Sequence, residues 1–235
     1  MGKTTAIEWT EASWNPWQGC IKVSPGCKNC YMYRQKLRYG QDPKLIARSK
    51  TTFYSPLKWT EPRLVFTCSW SDWFIENADE WRDEAWEVIR RTPQHAYQIL
   101  TKRPERIARH LPAGWSDGWQ NVWLGVSIES QEYIDRMDLL CEIPAQVRFV
   151  SAEPLLGPLD LGDLLGIDWV ITGGESGPKA RPMEVEWARS VRDQCVRQGV
   201  AFFHKQNGGA KKIAGAWGGR LLDGRTWDDM PTAST

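Results

Sequence analysis

The sequence predicts an α/β protein, a full or partial (βα) barrel of six to seven mostly parallel strands in a single domain of residues 1–235. Short apolar segments alternate along the chain with amphipathic segments of helical period, at intervals of about 20 to 30 residues. Such alternation predicts a parallel sheet with helices outside it. A chain of 235 residues, of which 41% are hydrophobic, is ordinary for one α/β barrel.

The first 40 residues predict one strand, a loop rich in cysteine and one helix. Residues 6–10 alternate in polarity and predict a short strand. Pro16 predicts that a turn follows this strand, because proline has no backbone N–H to donate to a central strand's hydrogen bonds. The cysteine loop, residues 19–31, leads into a helix predicted over 29–39, which Gly40 ends.

Six further strands are predicted over 64–68, 96–100, 121–126, 147–150, 168–172 and 200–203. The helices between them are predicted over 80–91, 104–110, 131–141, 161–165 and 184–197, and Gly199 ends the last one. A Gly-rich C-terminal extension covers about 208–235. There Asp223-Gly224, flanked by apolar residues, predicts a small hairpin over 221–227.

Cys20, Cys27 and Cys30 lie in a C-x6-C-x2-C spacing with no fourth cysteine nearby. Three close thiols suit an iron–sulfur cluster that leaves one iron open to another ligand. They also suit a zinc site whose fourth ligand, such as His204, comes from elsewhere in the chain. Unlinked buried thiols are the third interpretation, which we disfavour because such thiols need no metal-ligand spacing. The remaining cysteines are predicted to be reduced core thiols: Cys68, Cys141 and Cys195.

Polar or charged residues follow each of the six later strands. Because the carboxyl ends of parallel strands meet at one edge of a sheet, these residues are expected to line a cavity there. The adjacent Gly173 and Gly174 would let a ligand approach the backbone, and Glu175 would accept hydrogen bonds from it. The other candidates at these ends are Ser69, Ser71, Asp72, Lys102, Glu153, His204 and Lys205.

Basic residues dominate the segment 22–50, where eight Lys and Arg residues accompany one acid in a chain of net charge +1. A solvated helix face normally mixes the two signs. The segment therefore favours an anionic partner, with Arg34, Lys36 and Arg38 as its contacts. Fifteen Trp exceed what a core needs, so some of them are expected to stack on a surface or ligand. Both features favour nucleic acid, and DNA above RNA.

Several motifs resemble those of a phage and prophage family of three-Cys-motif proteins of uncharacterised function. Trp14-Asn15-Pro16, Gly19-Cys20 and the run from Val23 to Tyr31 resemble the opening of that family. The segments 151–157 and 173–177 resemble its later motifs. A three-cysteine loop ahead of a βα series also resembles the radical S-adenosylmethionine (SAM) superfamily, and distantly its spore photoproduct lyase type.

The resemblance implies a 4Fe–4S cluster on Cys20, Cys27 and Cys30, with SAM bound to the fourth iron and cleaved reductively to a radical. A redox protein would supply the electron. The common pattern is C-x3-C-x2-C, and its Gly-Gly-Glu usually follows the second strand, whereas here that tripeptide comes later. The implied cofactor contacts are Tyr31, Ser69, Ser71, Asp72, Gly173, Gly174 and Glu175. The substrate contacts expected from the basic segment and the polar strand ends are Arg34, Lys36, Arg38, Lys102, Glu153, His204 and Lys205.

These observations lead us to expect an iron–sulfur, radical-SAM-like enzyme that acts on nucleic acid or a nucleotide, as in DNA lesion repair or base modification. A zinc-stabilised Cys3His protein that binds nucleic acid without catalysis is the alternative, and an iron–sulfur nuclease or regulatory protein is a third. No apolar run approaches eighteen residues, and the N-terminus lacks an apolar signal region. We therefore expect no membrane span and a cytoplasmic location.

Overall fold

A sheet of seven parallel strands, curled into a half-barrel, forms the centre of the computed structural model, which describes residues 5–232. In chain order the strands are β1 (Ala12–Trp14), β2 (Trp17–Gln18), β3 (Ala47–Arg48), β4 (Leu64–Thr67), β5 (Ala96–Thr101), β6 (Val122–Ser127), β7 (Val147–Ala152), β8 (Trp169–Gly173), β9 (Ala201–Gln206), β10 (Lys212–Ile213) and β11 (Ala216–Trp217). The sheet has the order β1-β4-β5-β6-β7-β8-β9, and β2–β3 and β10–β11 form two short antiparallel pairs. The predicted α/β architecture is confirmed.

Four helices accompany these strands in the described part of the chain: α1 (Tyr31–Arg38), α2 (Asp79–Arg90), α3 (Asp135–Cys141) and α4 (Val185–Gln198). Helix α4 ends at Gly199, which adopts the left-handed conformation predicted for it (φ +69°). No helix within residues 5–232 combines the length and the apolar character that a membrane span requires.

The two faces of the sheet carry two separate apolar clusters, because successive side chains of a strand point to opposite faces. The larger cluster joins strand residues such as Leu124 and Val170 to Trp86 of α2 and Val191 of α4. The smaller cluster contains strand residues of the opposite parity: Phe66, Trp123, Phe149, Trp169, Ile171 and Phe203. Since the helices pack on the other face, the smaller cluster lies on the concave face of the half-barrel.

The N-terminal segment fills part of the concave face instead of forming the strand predicted over 6–10. Trp9 is buried there, with its ring 4.6 Å from that of Phe66 and 6.0 Å from that of Trp169, measured between centroids. The side-chain amide of Gln98, in β5, donates to the carbonyl of Trp9. The edge strand is β1 instead, because burial of the Trp9 ring decides the path of this segment over its alternating polarity.

Two predicted helices are absent, and in both places side chains from elsewhere satisfy the backbone. The segment predicted as a helix over 104–110 forms two 3-10 turns, Pro104–Arg106 and Ala108–His110, and the His110 carbonyl accepts from the Trp86 indole. The segment 161–165 is irregular, because Gln194 and Gln198 of α4 accept hydrogen bonds from the N–H groups of Leu161 and Leu164.

The small C-terminal hairpin is present at β10–β11, and a second tight antiparallel turn forms within 221–227, where the Asp-Gly pair predicted it. Its turn residues Ala214 and Gly215 both have positive φ, as a tight two-residue hairpin turn requires. Asp223 and Gly224 also have positive φ and form the predicted tight turn. A single antiparallel bridge flanks that turn, between Leu222 and Arg225.

Two expectations about side-chain exposure were wrong. Cys68 and Cys195 are buried, but Cys141 is exposed at the end of α3 and is not a core thiol. No Trp within residues 5–232 is exposed, so the surplus indoles serve packing more than a stacking surface. Many of them form a chain of edge-to-face and tilted ring contacts through the larger core: Trp14, Trp17, Trp73, Trp86, Trp115 and Trp119.

Candidate metal centre

The cysteine loop, residues 19–31, lies across the C-terminal ends of the parallel strands. The N–H of Gly19 donates to Trp70, which follows β4, and Arg103, after β5, donates to the carbonyl of Ile21. The loop also reaches Glu129, after β6, and Glu175, after β8. Polar groups that follow four of the strands therefore support the segment that carries the three thiols.

Glu129 anchors the middle of the loop. Its carboxylate is fully buried and accepts from the N–H of Gly26 at 3.1 Å. It also pairs with Arg136 at 3.0 Å and Lys102 at 3.4 Å. Burial raises the pKa of Glu129, but Lys102, Ser24, Arg136 and the Gly26 N–H together hold it below its ordinary value. The anchor is therefore an ionised carboxylate.

Glycine at position 26 leaves room for this anchor. A Cβ atom there would lie 2.9 Å from Oε1 of Glu129, closer than real Cβ contacts allow. Glu129 belongs to the polar strand ends that the sequence predicts, but no contact with a cofactor or substrate was predicted for it. The only signal for it was its position two residues beyond the end of β6.

Glu175 anchors the end of the loop. Arg181 donates to Oε1 at 2.6 Å and to Oε2 at 3.1 Å, and the Asn29 amide donates to Oε2 at 2.7 Å. Arg181 also donates to the carbonyl of Pro25 at 3.0 Å. Burial raises the pKa of Glu175, and its bonds to Arg181 and Asn29 outweigh burial, so the net shift is downward. Both oxygens of Glu175 are thus already engaged with groups that position the loop.

The two glycines before Glu175 have different packing roles. A Cβ at position 173 would lie 2.5 Å from Oε1 of Glu153, so Gly173 makes room for that carboxylate. A Cβ at position 174 would lie 2.2 Å from the carbonyl oxygen of Asn207, so Gly174 allows close backbone packing. The second contact explains this glycine without a ligand.

The three thiols of the loop are half-buried and unlinked. Burial raises the pKa of the Cys20 thiol to about 12, and the charges of Asp72, Cys27 and Cys30 add to that rise. Within residues 5–232, no three His, Cys, Asp or Glu side chains stand together at the spacing of ligands to a single metal ion. Three soft thiolates in one partly exposed loop are a donor set that fits an iron–sulfur cluster.

The residues after β4 hold the loop and the neighbouring strand end. Asp72 is buried and accepts from Phe74 N–H, the Thr101 hydroxyl, Lys102 N–H and the Arg103 guanidinium. The Ser71 hydroxyl donates to the carbonyl of Gly19, and the carbonyl of Ser69 accepts from the Tyr31 hydroxyl. The polar groups of this segment are therefore already engaged within the protein.

Glu153 and Lys205 form a partly exposed ion pair at the same edge, with 3.0 Å between Oε1 and Nζ. The Ser151 hydroxyl donates to the other Glu153 oxygen at 3.3 Å. Gly173 shares its face of β8 with Ile171 of the smaller cluster, and a Cβ on Gly173 would meet Glu153, so the pair borders the concave face below the cysteine loop.

His204 does not stand beside the thiols as a fourth ligand. Its imidazole is fully buried, with Nδ1 hydrogen-bonded to the Thr172 hydroxyl at 2.9 Å and Nε2 to the Asn207 amide oxygen at 3.0 Å. Burial lowers its pKa below the ordinary value. The geometry assigns His204 to the packing of β8 against β9, since both ring nitrogens already have partners.

The three basic residues predicted on α1 differ in exposure. Lys36 is buried, and Arg34 is half-buried and donates to the carbonyl of Ser176. Only Arg38 is exposed. The expectation of three parallel anion contacts was therefore wrong for Lys36, because the helix turns that side chain inward.

A different set of residues forms what we term the loop surface, on the outside of the cysteine loop, α1 and the turn after it. Its exposed cations are Lys22, Lys28, Arg38 and Lys44. Its exposed apolar residues are Ile21, Val23, Leu37, Tyr39 and Leu45. The cysteine loop adjoins the other two segments, because Cys20 N–H donates to the carbonyl of Pro43 and the Tyr33 hydroxyl donates to the carbonyl of Cys20. Charge counting found the cations and missed the apolar component.

No curated protein and no solved structure matches this chain, but one family model does. Residues 4–231 match the model of a family described as protein of unknown function, DUF5131. Because the match covers nearly the whole chain, the protein belongs to this uncharacterised family.

Proposed function

We propose that this protein is an iron–sulfur enzyme of the radical SAM type that acts on nucleic acid. The observation that carries the proposal is the position of the three thiols, in a loop held over the C-terminal ends of a parallel half-barrel. That edge is where α/β barrels carry their sites. The resemblance of the three-cysteine motif to the radical SAM superfamily supports the same assignment.

Cys20, Cys27 and Cys30 would hold a 4Fe–4S cluster. When both are bound, the cluster supplies an electron that cleaves SAM, and the resulting radical can abstract hydrogen from the substrate. The chain holds the ligand loop in place through the carboxylates of Glu129 and Glu175. Half-buried thiols in a cytoplasmic, reducing compartment would remain free to bind iron.

The polar groups of SAM would meet Glu153 and Lys205 instead of Glu175. The oxygens of Glu175 already accept from Arg181 and Asn29, whereas the Glu153–Lys205 pair is partly exposed. Lys102, whose contact with Glu129 is long at 3.4 Å, adds a second cation at this edge. An amino acid group carries one charge of each sign, and an ion pair on the concave face offers a partner for each.

The nucleic-acid part of the proposal rests on the loop surface. Lys22, Lys28, Arg38 and Lys44 are exposed cations around the cysteine loop and can contact phosphates. The concave face lies beneath that loop, so a base within a duplex would have to leave the stack to reach it. DNA with an extrudable or damaged base is therefore the proposed substrate class.

Anaerobic reconstitution tests the function. The purified protein is supplied with iron and sulfide, then with SAM and dithionite, and 5′-deoxyadenosine is quantified. A brown protein absorbing near 400 nm that forms 5′-deoxyadenosine supports the proposal. A colourless protein that retains zinc and forms none would overturn it in favour of the structural zinc alternative.

A further inference from the structure

Arg103 is a buried cation directly beneath the first cysteine of the loop. Its side chain is only 5% exposed, and all of its guanidinium nitrogens have partners. NH1 pairs with Asp72 at 3.1 Å, NH2 donates to the carbonyl of Ile21 at 3.0 Å, and Nε lies 3.7 Å from Glu76. A buried guanidinium usually has a fixed acceptor, and here Asp72 also holds it in orientation.

The same guanidinium lies beside the Cys20 thiol, because Sγ of Cys20 is 3.6 Å from the Ile21 carbonyl oxygen to which Arg103 donates at 3.0 Å. Burial lowers the pKa of Arg103, but the charges of Asp72, a Cys20 thiolate and Glu76 outweigh burial and raise it. Lys102, the preceding residue, pairs with Glu129 instead, so Arg103 is the cation that contacts the loop next to Cys20.

We infer that Arg103, oriented by Asp72, is a positioning residue whose buried positive charge beside Cys20 sets the reduction potential of the centre that Cys20 ligates. This inference rests on the proposed function. Hydrogen bonds and positive charge at a ligand sulfur favour the reduced state, which carries one more negative charge. Arg103 therefore makes the cluster easier to reduce, and Asp72 acts through it without binding the metal.

Spectroelectrochemical titration of the reconstituted protein, monitored by electron paramagnetic resonance, tests this role. Arg103→Gln is expected to lower the midpoint potential so that the reduced-to-oxidised ratio at a fixed potential falls about tenfold, equivalent to 59 mV for a one-electron couple. Iron content should stay near that of the unaltered protein, because the three thiolates remain. Arg103→Lys keeps the charge and loses the fork geometry, so a smaller fall is expected.

Arg106→Gln is the matched control, since it removes a cation from the same turn that pairs with Asp79 and Glu76 and does not contact the loop. Its potential should equal that of the unaltered protein. If Arg103→Gln fails to fold, the Arg103→Lys titration decides. If the unaltered protein carries a cluster and every Arg103 variant has the same midpoint potential, the inference about Arg103 is refuted and the proposed function is not. An unaltered protein that carries no cluster would instead refute the proposed function.

Discussion

The backbone N–H of Gly26 donates to the carboxylate of Glu129, 103 residues further along the chain, at 3.1 Å. Gly26 lies immediately before Cys27, so this bond sets the position of the central thiol relative to the sheet. Arg136 and Lys102 fix the carboxylate from the other side. The cysteine loop is thus attached to the end of β6 through an ionised group with no exposure to solvent.

Replacement of Cys27 by serine should remove most of the bound iron, because a hydroxyl is a harder and weaker ligand for iron than a thiolate. The same loss is expected for Cys20→Ser and Cys30→Ser. Iron and acid-labile sulfide in the reconstituted proteins are the measurement. Cys141→Ser is the matched control, since Cys141 is exposed and far along the chain from the loop. Full iron content in Cys27→Ser would disprove the assignment of the ligands.

Glu129→Gln should lower the free energy of unfolding by about 3–5 kcal/mol, because it keeps the shape and leaves Arg136 and Lys102 without their buried counter-charge. Urea unfolding monitored by Trp fluorescence measures this cost. Glu132→Gln, in the exposed turn that follows, is the control and should change little. A cost below that of an ordinary surface change would mean that the anchor contributes nothing to stability.

The contribution of Glu129 should also depend on pH. Its pKa is lower in the folded protein than in the unfolded chain, so the carboxylate stabilises the fold fully above the ordinary pKa of glutamate. That stabilisation is lost as the pH falls through the folded pKa. The difference in unfolding free energy between the native protein and Glu129→Gln should therefore be constant near neutral pH and shrink in acid. A difference that grows on acidification would contradict an ionised anchor.

Removal of positive charge from the loop surface should weaken binding to DNA and reduce its dependence on salt. With Lys22, Lys28, Arg38 and Lys44 all changed to glutamine, the log–log salt slope should fall by about 0.9 for each duplex phosphate that the protein no longer neutralises. Fluorescence anisotropy over a range of salt concentrations measures both quantities.

The control for that experiment changes four exposed cations outside the cysteine loop and α1: Lys58, Arg91, Arg109 and Arg197. It matches the reduction in net charge and should leave the slope unchanged. Equal effects of the two sets would show that DNA responds only to total charge and does not bind at the loop surface.

Trp9→Ala should destabilise the protein by about 3–5 kcal/mol, the usual cost of removing a large aromatic side chain from a core. Trp9→Phe should cost much less, because the indole N–H has no hydrogen-bond partner within residues 5–232, and a phenyl ring retains contact with Phe66 and Trp169. Urea unfolding of both variants gives the comparison. Similar small losses in both would indicate that the N-terminal segment does not support the concave face.

The order of strands and helices could be predicted from the sequence because it depends on local periodicity. The segments at β4 to β9 alternate or run apolar for four to six residues, and α2 and α4 carry apolar residues at helical spacing. Prediction was wrong where distant side chains supply the hydrogen bonds, as Gln194 does for Leu161. It was also wrong for residues 6–10, where burial of Trp9 outweighs local alternation.

The three thiols and the polar strand ends could also be identified in the sequence, because each is defined by residue types at particular positions along the chain. The partners of those residues were decided only by tertiary structure. The local sequence around Glu175 suggested a ligand contact, yet in the folded protein Arg181 and Asn29 donate hydrogen bonds to its carboxylate. Glu129 and Arg103 carry no local motif, and the sheet brings them to Gly26 and Ile21 from over 80 residues away. Local sequence specifies which groups are present, whereas the closure of a parallel sheet determines which of them meet, because those contacts depend on strand order and register.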